Sequence, residues 1–284
     1  MVSDREPGGP EVVAGEATRK SLRLVFKNTL MLVSARVLVV PLSLVLNAVM
    51  ARSIGATGFG DFYVASTFVA FAFVVVTWGQ DGTLPARVAQ DRARAGELLG
   101  SAIAWRLLAS PVAYAVLAAT FLLLGYSAGL QLVLVLVFVN AMIGGFTRSG
   151  LETVRGFERT DVAAVAQVCN RLLTLILVVP VLHLGGGLPG ALVAFTVATL
   201  TVLAFVAWSL RKLGVGAVFA RRATVRELLR EGWPFMVFAV SLALQSTIDA
   251  AFLSRLAPRE VVGWYAASEK LIGFVIFPAG AIVG

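Results

Sequence analysis

The chain has 284 residues, of which 58% are hydrophobic and only 14% are charged. Its mean hydropathy of +0.88 excludes an ordinary soluble domain and indicates an integral membrane protein. The net charge of +8 suggests nucleic-acid binding, but no basic patch is interleaved with aromatic residues, so we expect none. One cysteine, Cys169, and one histidine, His183, leave no disulfide framework and no metal cluster, and we expect no cofactor.

The N-terminal segment, residues 1–21, is rich in glycine, proline and charged residues. This composition predicts a disordered tail. The segment has no short apolar core and no small-residue cleavage site, so it does not resemble a signal peptide.

The first apolar stretch runs from Thr29 to Met50 and is long enough to cross a bilayer, because about 20 helical residues span roughly 30 Å. Arg36, Ser43 and Asn47 lie on one face of this predicted helix. A guanidinium near the middle of a membrane costs about 2.5 to 3.5 kcal/mol, which favours a position facing protein or a water-filled cavity. The alternative is that Arg36 extends to the lipid headgroups.

Further apolar stretches, separated by glycine turns and charged loops, predict six more complete spans and the start of an eighth. Spans two to five have approximate limits of 62–78, 98–124, 130–146 and 162–182; span six ends at 210, span seven covers 234–256, and span eight begins near 261. Residues 211–233 combine an apolar helical face with basic residues, which predicts an interfacial helix, with a solvated linker as the alternative. The last apolar run is not followed by a polar loop, so we expect a fragment of a longer protein.

Lysine and arginine are distributed unevenly between the two sides of the predicted membrane protein. The N-terminal tail and the loops after spans two, four and six contain 17 of these residues, whereas the opposite turns contain three. Basic residues concentrate on the cytosolic side of membrane proteins. The count therefore predicts a multi-pass protein of the cytoplasmic membrane with a cytosolic N-terminus.

The first six predicted spans contain three arginines, Arg36, Arg106 and Arg171, but no carboxylate in their interiors. Guanidinium groups bind phosphate in a bidentate manner, so spans lined in this way favour an anionic ligand. We therefore predict a substrate site formed by these arginines with Ser43 and Asn47. The alternative for Arg106 and Arg171 is extension to the headgroups.

Two charged residues in spans seven and eight, Asp249 and Lys270, lie at comparable predicted depths. Charges inside membranes usually pair, so we predict an ion pair between them that acts in gating or ion coupling. The alternative is a structural lock between two helices. Catalytic motifs are absent and no loop is long enough for a nucleotide-sugar site, so we do not expect an enzyme.

Four segments resemble the polysaccharide-flippase branch, of the O-antigen type, of the multidrug/oligosaccharidyl-lipid/polysaccharide (MOP) exporter superfamily. They are ARSIGATGFGDFYVASTFVAF, WGQDGTLPARVAQD, GGGLPGALVAF and the region from Ser246 to Leu271, and the turn from Ala51 to Tyr63 is the most specific. The resemblance implies an all-α integral membrane protein, a multi-span helical bundle with two lobes around a cavity, like multidrug and toxin extruders. Residues 22–210 then form the first six-helix lobe, 211–233 the cytosolic connection and 234–284 the incomplete start of the second lobe.

The resemblance also implies a function, which is to move an undecaprenyl-pyrophosphate-linked oligosaccharide across the cytoplasmic membrane by alternating access, for cell-surface polysaccharide biosynthesis. Glycan polymerases or other assembly proteins are candidate partners. One alternative is a cation-coupled multidrug exporter, although such relatives commonly use a first-lobe carboxylate that the predicted spans lack. Two others are a peptidoglycan-precursor lipid flippase of the same superfamily and a membrane scaffold that transports nothing.

Overall fold

A computed structural model of the chain describes residues 10–269 and 272, with the side chains of residues 35, 37–244, 248–269 and 272. Helix is the only regular secondary structure in this part of the chain, which confirms the predicted all-α fold. The helices are α1 (Pro10–Thr77), α2 (Gln80–Gln90), α3 (Ala95–Leu123), α4 (Ala128–Gly156), α5 (Thr160–His183), α6 (Gly187–Lys212) and α7 (Arg222–Leu256), with a 3-10 turn at Arg92–Arg94. Residues 259–269 are again helical.

Six helical segments of the described chain are long and apolar enough to cross a membrane. The first, Val37–Gln90, contains residues 37–50 of the first predicted span and all of the second, because α1 continues past a sharp bend at Gly55. The backbone angles there are φ 73° and ψ 173°, a conformation that only glycine adopts without strain. The turn predicted over residues 51–62 is therefore reduced to a single hinge residue.

Two predicted boundaries need correction. Residues 10–21 belong to α1 and are helical instead of disordered, whereas residues 1–9 lie outside the described part. Residues 211–233 do not form a separate interfacial helix, because α6 ends at Lys212 and α7 runs without interruption from Arg222 into the predicted seventh span. The start of α7 is held by packing, since Leu228 is fully buried against Leu84 and Val88 of α2.

The helices pack into a bundle in which α6 lies against both α4 and α5, and α1 lies against α5. One large apolar core joins α1, α3, α4, α5 and α6 and extends to the 259–269 helix. A smaller core lies where α2 meets α3 and α7. We call this side of the bundle the α2 end and the opposite side the Gly55 end.

At the α2 end, α7 is attached to α2 and to the segment before it. Arg87 donates from Nε to Oε2 of Glu231 at 2.8 Å and forms an ion pair with Glu227 at 3.2 Å. Trp78 donates from Nε1 to the carbonyl oxygen of Leu229 at 3.0 Å. These contacts join α7 to the rest of the bundle.

At the Gly55 end, a second set of contacts holds the region that follows α7. Arg259 pairs with Asp61 at 3.3 Å and donates to Oγ of Ser127 at 2.9 Å. Arg255 donates to the carbonyl oxygen of Leu124 at 2.6 Å. The start of α7 is thus attached to the rest of the bundle at the α2 end, and the end of α7 with the residues after it is attached at the Gly55 end.

Candidate functional site

Two open cavities of about 550 and 510 Å³ lie side by side in the half of the bundle toward the α2 end. The first cavity lies between α1, α3, α4 and α7, and the second lies between α1, α4, α5 and α6. Ala141, Gly144 and Arg148 of α4 line both. These residues are three and four positions apart, so one face of α4 forms the common wall.

Two consecutive glycines, Gly144 and Gly145, make space in this wall. A Cβ atom added to Gly144 would meet no atom within 4 Å, and one added to Gly145 would lie 3.2 Å from Nη1 of Arg106. A larger residue at position 145 would therefore press on the guanidinium of Arg106. Gly144 instead leaves open space beside the common wall.

Arg106 lies in the wall of the first cavity and is only 2% exposed. Its Nη2 atom lies 3.2 Å from Oδ1 of Asp81, and its Nη1 atom donates to Oγ1 of Thr77 at 3.3 Å. Nη1 of Arg148 lies 3.4 Å from the other carboxylate oxygen of Asp81. Nε of Arg106 is buried and has no hydrogen-bond partner among the described residues. In the structure the guanidinium of Arg106 is therefore enclosed by protein and held by Asp81 and Thr77.

The pairing of Arg106 was not expected, because its carboxylate partner comes from outside the predicted spans. Asp81 follows residue 78, where the second predicted span ends. In the structure the chain turns at Trp78 and Gly79, both with positive φ, and continues as α2. This turn returns Asp81 to the bundle beside Arg106.

Arg171 lines the second cavity, where its side chain is half-buried and pairs with no carboxylate of the described residues. Gln167 and Asn170 of the same helix lie beside it in the cavity wall. Arg155 also faces this cavity and pairs with Glu152 at 2.7 Å. Together the two cavities are lined by two carboxylates and four arginines: Arg106, Arg148, Arg155 and Arg171. This excess of positive charge suits an anionic ligand.

The other predicted substrate ligands lie on α1. The side chain of Arg36 is outside the described residues, but its backbone lies one helical turn before Val39, which lines the second cavity. Ser43 donates to the carbonyl oxygen of Val39 at 2.6 Å, and Asn47 donates to that of Ser43 at 2.9 Å. Neither Ser43 nor Asn47 lines either cavity. Their roles, and that of Arg36, stay predictions.

The predicted ion pair between Asp249 and Lys270 also stays a prediction, because Lys270 lies outside the described residues. Asp249 is exposed and accepts a hydrogen bond from the hydroxyl of Tyr265 at 3.2 Å. Glu269 accepts one from the hydroxyl of Tyr63 at 2.5 Å. The 259–269 helix therefore exchanges polar contacts with both α7 and α1.

Arg148 and Arg155 lie beyond the fourth predicted span, because hydropathy falls after residue 146. In the structure α4 continues to Gly156. A signal was present, because Ala141, Arg148 and Arg155 are seven residues apart and share one helical face. No cluster of histidine, cysteine or acidic residues in the described part could hold a metal ion.

The family model described as "Polysaccharide biosynthesis protein" matches residues 25–280 of the chain. No curated protein matches the sequence. Among solved structures, the MATE multidrug transporter DinF-BH is similar, with a TM-score of 0.73 and 16% sequence identity over 90% of this chain and 62% of that one. An inward-facing multidrug resistance MATE family transporter of the MOP superfamily has a TM-score of 0.62 and 18% identity, over 84% and 58% of the two chains.

A MOP superfamily transporter from Pyrococcus furiosus, described as having a binding pocket of reverse polarity, has a TM-score of 0.58 and 16% identity, over 87% of this chain and 64% of that one. The chain thus spans less than two thirds of the length of each of these three proteins. At such low identities the similarity establishes the fold. The chain is a multi-pass membrane protein with the MATE transporter fold, and it belongs to the family described as "Polysaccharide biosynthesis protein".

Proposed function

We propose that the protein is a flippase that moves a lipid-linked oligosaccharide, carried on undecaprenyl pyrophosphate, across the cytoplasmic membrane for cell-surface polysaccharide synthesis. The observation that carries this proposal is the excess of arginines in two adjoining cavities inside an apolar bundle. The family model agrees with a polysaccharide substrate. The N-terminus and the α2 end then face the cytosol, as the distribution of basic residues predicts.

The chemical reason lies in the substrate's pyrophosphate. A doubly charged group cannot enter an apolar bundle unless cations compensate the loss of hydration. Arg171 has no carboxylate partner in the described structure, and Arg36 is expected near the same cavity, so both are candidates to provide this compensation. The polyprenyl chain has no such requirement and can stay in the bilayer.

Alternating access requires contacts that can open at one end while those at the other end hold. The ion pairs of Arg87 with Glu227 and Glu231 are about one third exposed, and such pairs are worth at most about 1 kcal/mol each. Breaking these pairs therefore adds little to the cost of opening the α2 end. The contacts of Arg255 and Arg259 at the Gly55 end would hold α7 during this opening.

A second candidate is a cation-coupled multidrug exporter. The observation in its favour is that two carboxylates, Asp81 and Glu152, line the cavities, where either could bind a proton or a cationic drug. The similar structure of DinF-BH is that of a multidrug transporter. We favour the flippase, because both carboxylates already pair with arginines.

The two candidates are distinguished in cells that lack their own glycan flippase. Expression of the protein is expected to restore lipid-linked oligosaccharide in the outer leaflet and to leave resistance to the cationic dye ethidium unchanged. Dye resistance without glycan export would instead establish the drug exporter. Rescue of cells depleted of peptidoglycan-precursor flipping would identify that lipid as the substrate.

Filling the open space beside Gly144, which lines both cavities, provides a test of where the substrate binds. Gly144→Leu adds a side chain where nothing lies within 4 Å of the new Cβ, so the fold should tolerate it. We expect at least a 5-fold loss of glycan export, since blocking a bound group by overpacking costs about 1 to 3 kcal/mol. Export and the amount of protein in the membrane are both measured.

The matched control is Gly129→Leu, at an exposed glycine of the same helix whose nearest neighbouring atom would lie 4.0 Å from the new Cβ. This variant should export glycan like the wild type. Wild-type export by Gly144→Leu would show that the substrate does not use these cavities.

A further inference from the structure

Arg148 differs from the other three arginines because it lines both cavities. Its side chain is 64% exposed, and its Nη1 atom reaches Oδ2 of Asp81 at 3.4 Å. An exposed pair at this distance is worth at most about 1 kcal/mol. Arg148 can therefore leave Asp81 at little cost and turn toward the second cavity.

Asp81 also pairs with Arg106, and this pair has the opposite character. Arg106 is only 2% exposed and lies 3.2 Å from Oδ1 of Asp81. Breaking a buried pair of this kind is expensive, since it leaves an uncompensated charge inside the protein. Asp81 thus has one permanent partner and one that it can release.

The second cavity offers a destination for the released guanidinium. Arg171 lies there without a carboxylate partner among the described residues, and Gln167 and Asn170 provide amide donors. A single arginine compensates only part of the charge of a pyrophosphate, whereas two can bind both of its phosphoryl groups.

We propose that Arg148 is a mobile anion ligand, which Asp81 holds in the empty protein and which moves to join Arg171 when a pyrophosphate group enters the second cavity. The proposal rests on the proposed function and adds to it a binding residue and its resting-state counter-ion. Asp81 then acts as a positioning residue that competes with the substrate for Arg148.

The proposal is tested by measuring the affinity of the purified protein for undecaprenyl pyrophosphate in detergent and for inorganic pyrophosphate in parallel. Arg148→Gln is expected to lower the affinity for the lipid about 10-fold or more, because it removes a charge-assisted contact. Asp81→Asn keeps an oxygen for Arg106 but frees Arg148, so it should raise the affinity about 3- to 5-fold. This gain should vanish in the double variant that also carries Arg148→Gln.

Glu152→Gln is the matched control, as it removes a carboxylate from the same cavity that pairs with Arg155 and not with Arg148. Any gain it gives should persist in the Arg148→Gln background. If the gain in affinity from Asp81→Asn also persists in the Arg148→Gln background, the gain reflects only the change in net charge. That result would overturn the proposal. If Asp81→Asn does not fold, the Arg148→Gln variant still tests the proposal. An affinity for the lipid equal to that of the wild type would then overturn the proposal.

The failure of the proposed function has a different signature. If the wild type binds neither probe better than an Arg148→Gln/Arg171→Gln variant, the cavities are not an anion site, and both proposals fail. If inorganic pyrophosphate binds as tightly as the lipid, the site serves a free anion, and the flippase fails while the counter-ion role of Asp81 stands. Tighter binding of the lipid, with the pattern above, supports both.

Discussion

Replacing Arg171 with glutamine is expected to reduce glycan export by at least 30-fold while the protein still folds and inserts. Its side chain lines the second cavity and has no carboxylate partner in the described structure, so its loss leaves no buried acid uncompensated. Losing one partner of a desolvated charge pair costs about 2 to 5 kcal/mol, which corresponds to roughly 30-fold to several thousand-fold in rate. Export is measured as outer-leaflet oligosaccharide, normalised to the amount of protein in the membrane.

Arg159→Gln is the appropriate comparison, because Arg159 pairs with Asp161 in an exposed connection, with 51% of its side chain accessible. The free energy lost with the pair of Arg159 and Asp161 is at most about 1 kcal/mol, and export should stay near the wild-type level.

Arg36→Ala, at a residue that the sequence pattern places in the same site, should behave like Arg171→Gln. Wild-type export by both variants would remove the arginines of the second cavity from the mechanism.

Hydropathy and glycine positions were sufficient to predict most of the membrane helices. The predicted fifth span, 162–182, lies within α5, and the predicted third span, 98–124, differs from α3 by three residues at its start. What hydropathy could not predict is how far a helix continues beyond its apolar part. Both α4 and α7 extend by ten or more charged or mixed residues, because those residues are stabilised by packing against α2.

The same effect explains what was missed in the site. Interior arginines are conspicuous in a sequence, so Arg106 and Arg171 were selected, and both line cavities. Their partners come from segments that look like loops: Asp81 reaches Arg106 only because the chain reverses at Trp78 and Gly79. No periodicity within one helix encodes such a tertiary contact. The spacing along α4, by contrast, was readable and identifies Arg148 and Arg155.

The cavities and the α7 attachments are linked through the turn at Trp78 and Gly79. Asp81 follows this turn directly and faces the first cavity, while Trp78 contacts α7. Phe235 of α7 lines the same cavity, and its ring lies 3.0 Å from where a Cβ of Gly82 would be. Any separation of α7 from this turn therefore changes the wall beside Asp81. The proposed ligand site and the contacts that hold the α2 end thus involve the same few residues.

Gly232→Val is expected to open the α2 end without unfolding the bundle. A Cβ at position 232 would lie 2.2 Å from the carbonyl oxygen of Trp78, and one at Gly79 would lie 2.1 Å from that of Gly232. Both contacts are with backbone, so no side-chain rotation can relieve them and α7 must move away. Overpacking of this kind costs about 1 to 3 kcal/mol, enough to shift a two-state equilibrium about 5- to 150-fold toward the open form.

The opening can be measured with a single cysteine at Leu228, which is fully buried between α2, α3 and α7, in a Cys169→Ser background. A water-soluble maleimide should label Leu228→Cys at least 5-fold faster when Gly232→Val is present, in line with the lower bound of that shift. Gly129→Val, at an exposed glycine with room for the new side chain, should not change the rate.

A second cysteine position distinguishes opening from unfolding. Leu134 is buried in the main core, so labelling of Leu134→Cys should become faster only if the whole protein unfolds. An unchanged rate at position 228 would mean that the close backbone contact between Gly79 and Gly232 does not control access at the α2 end.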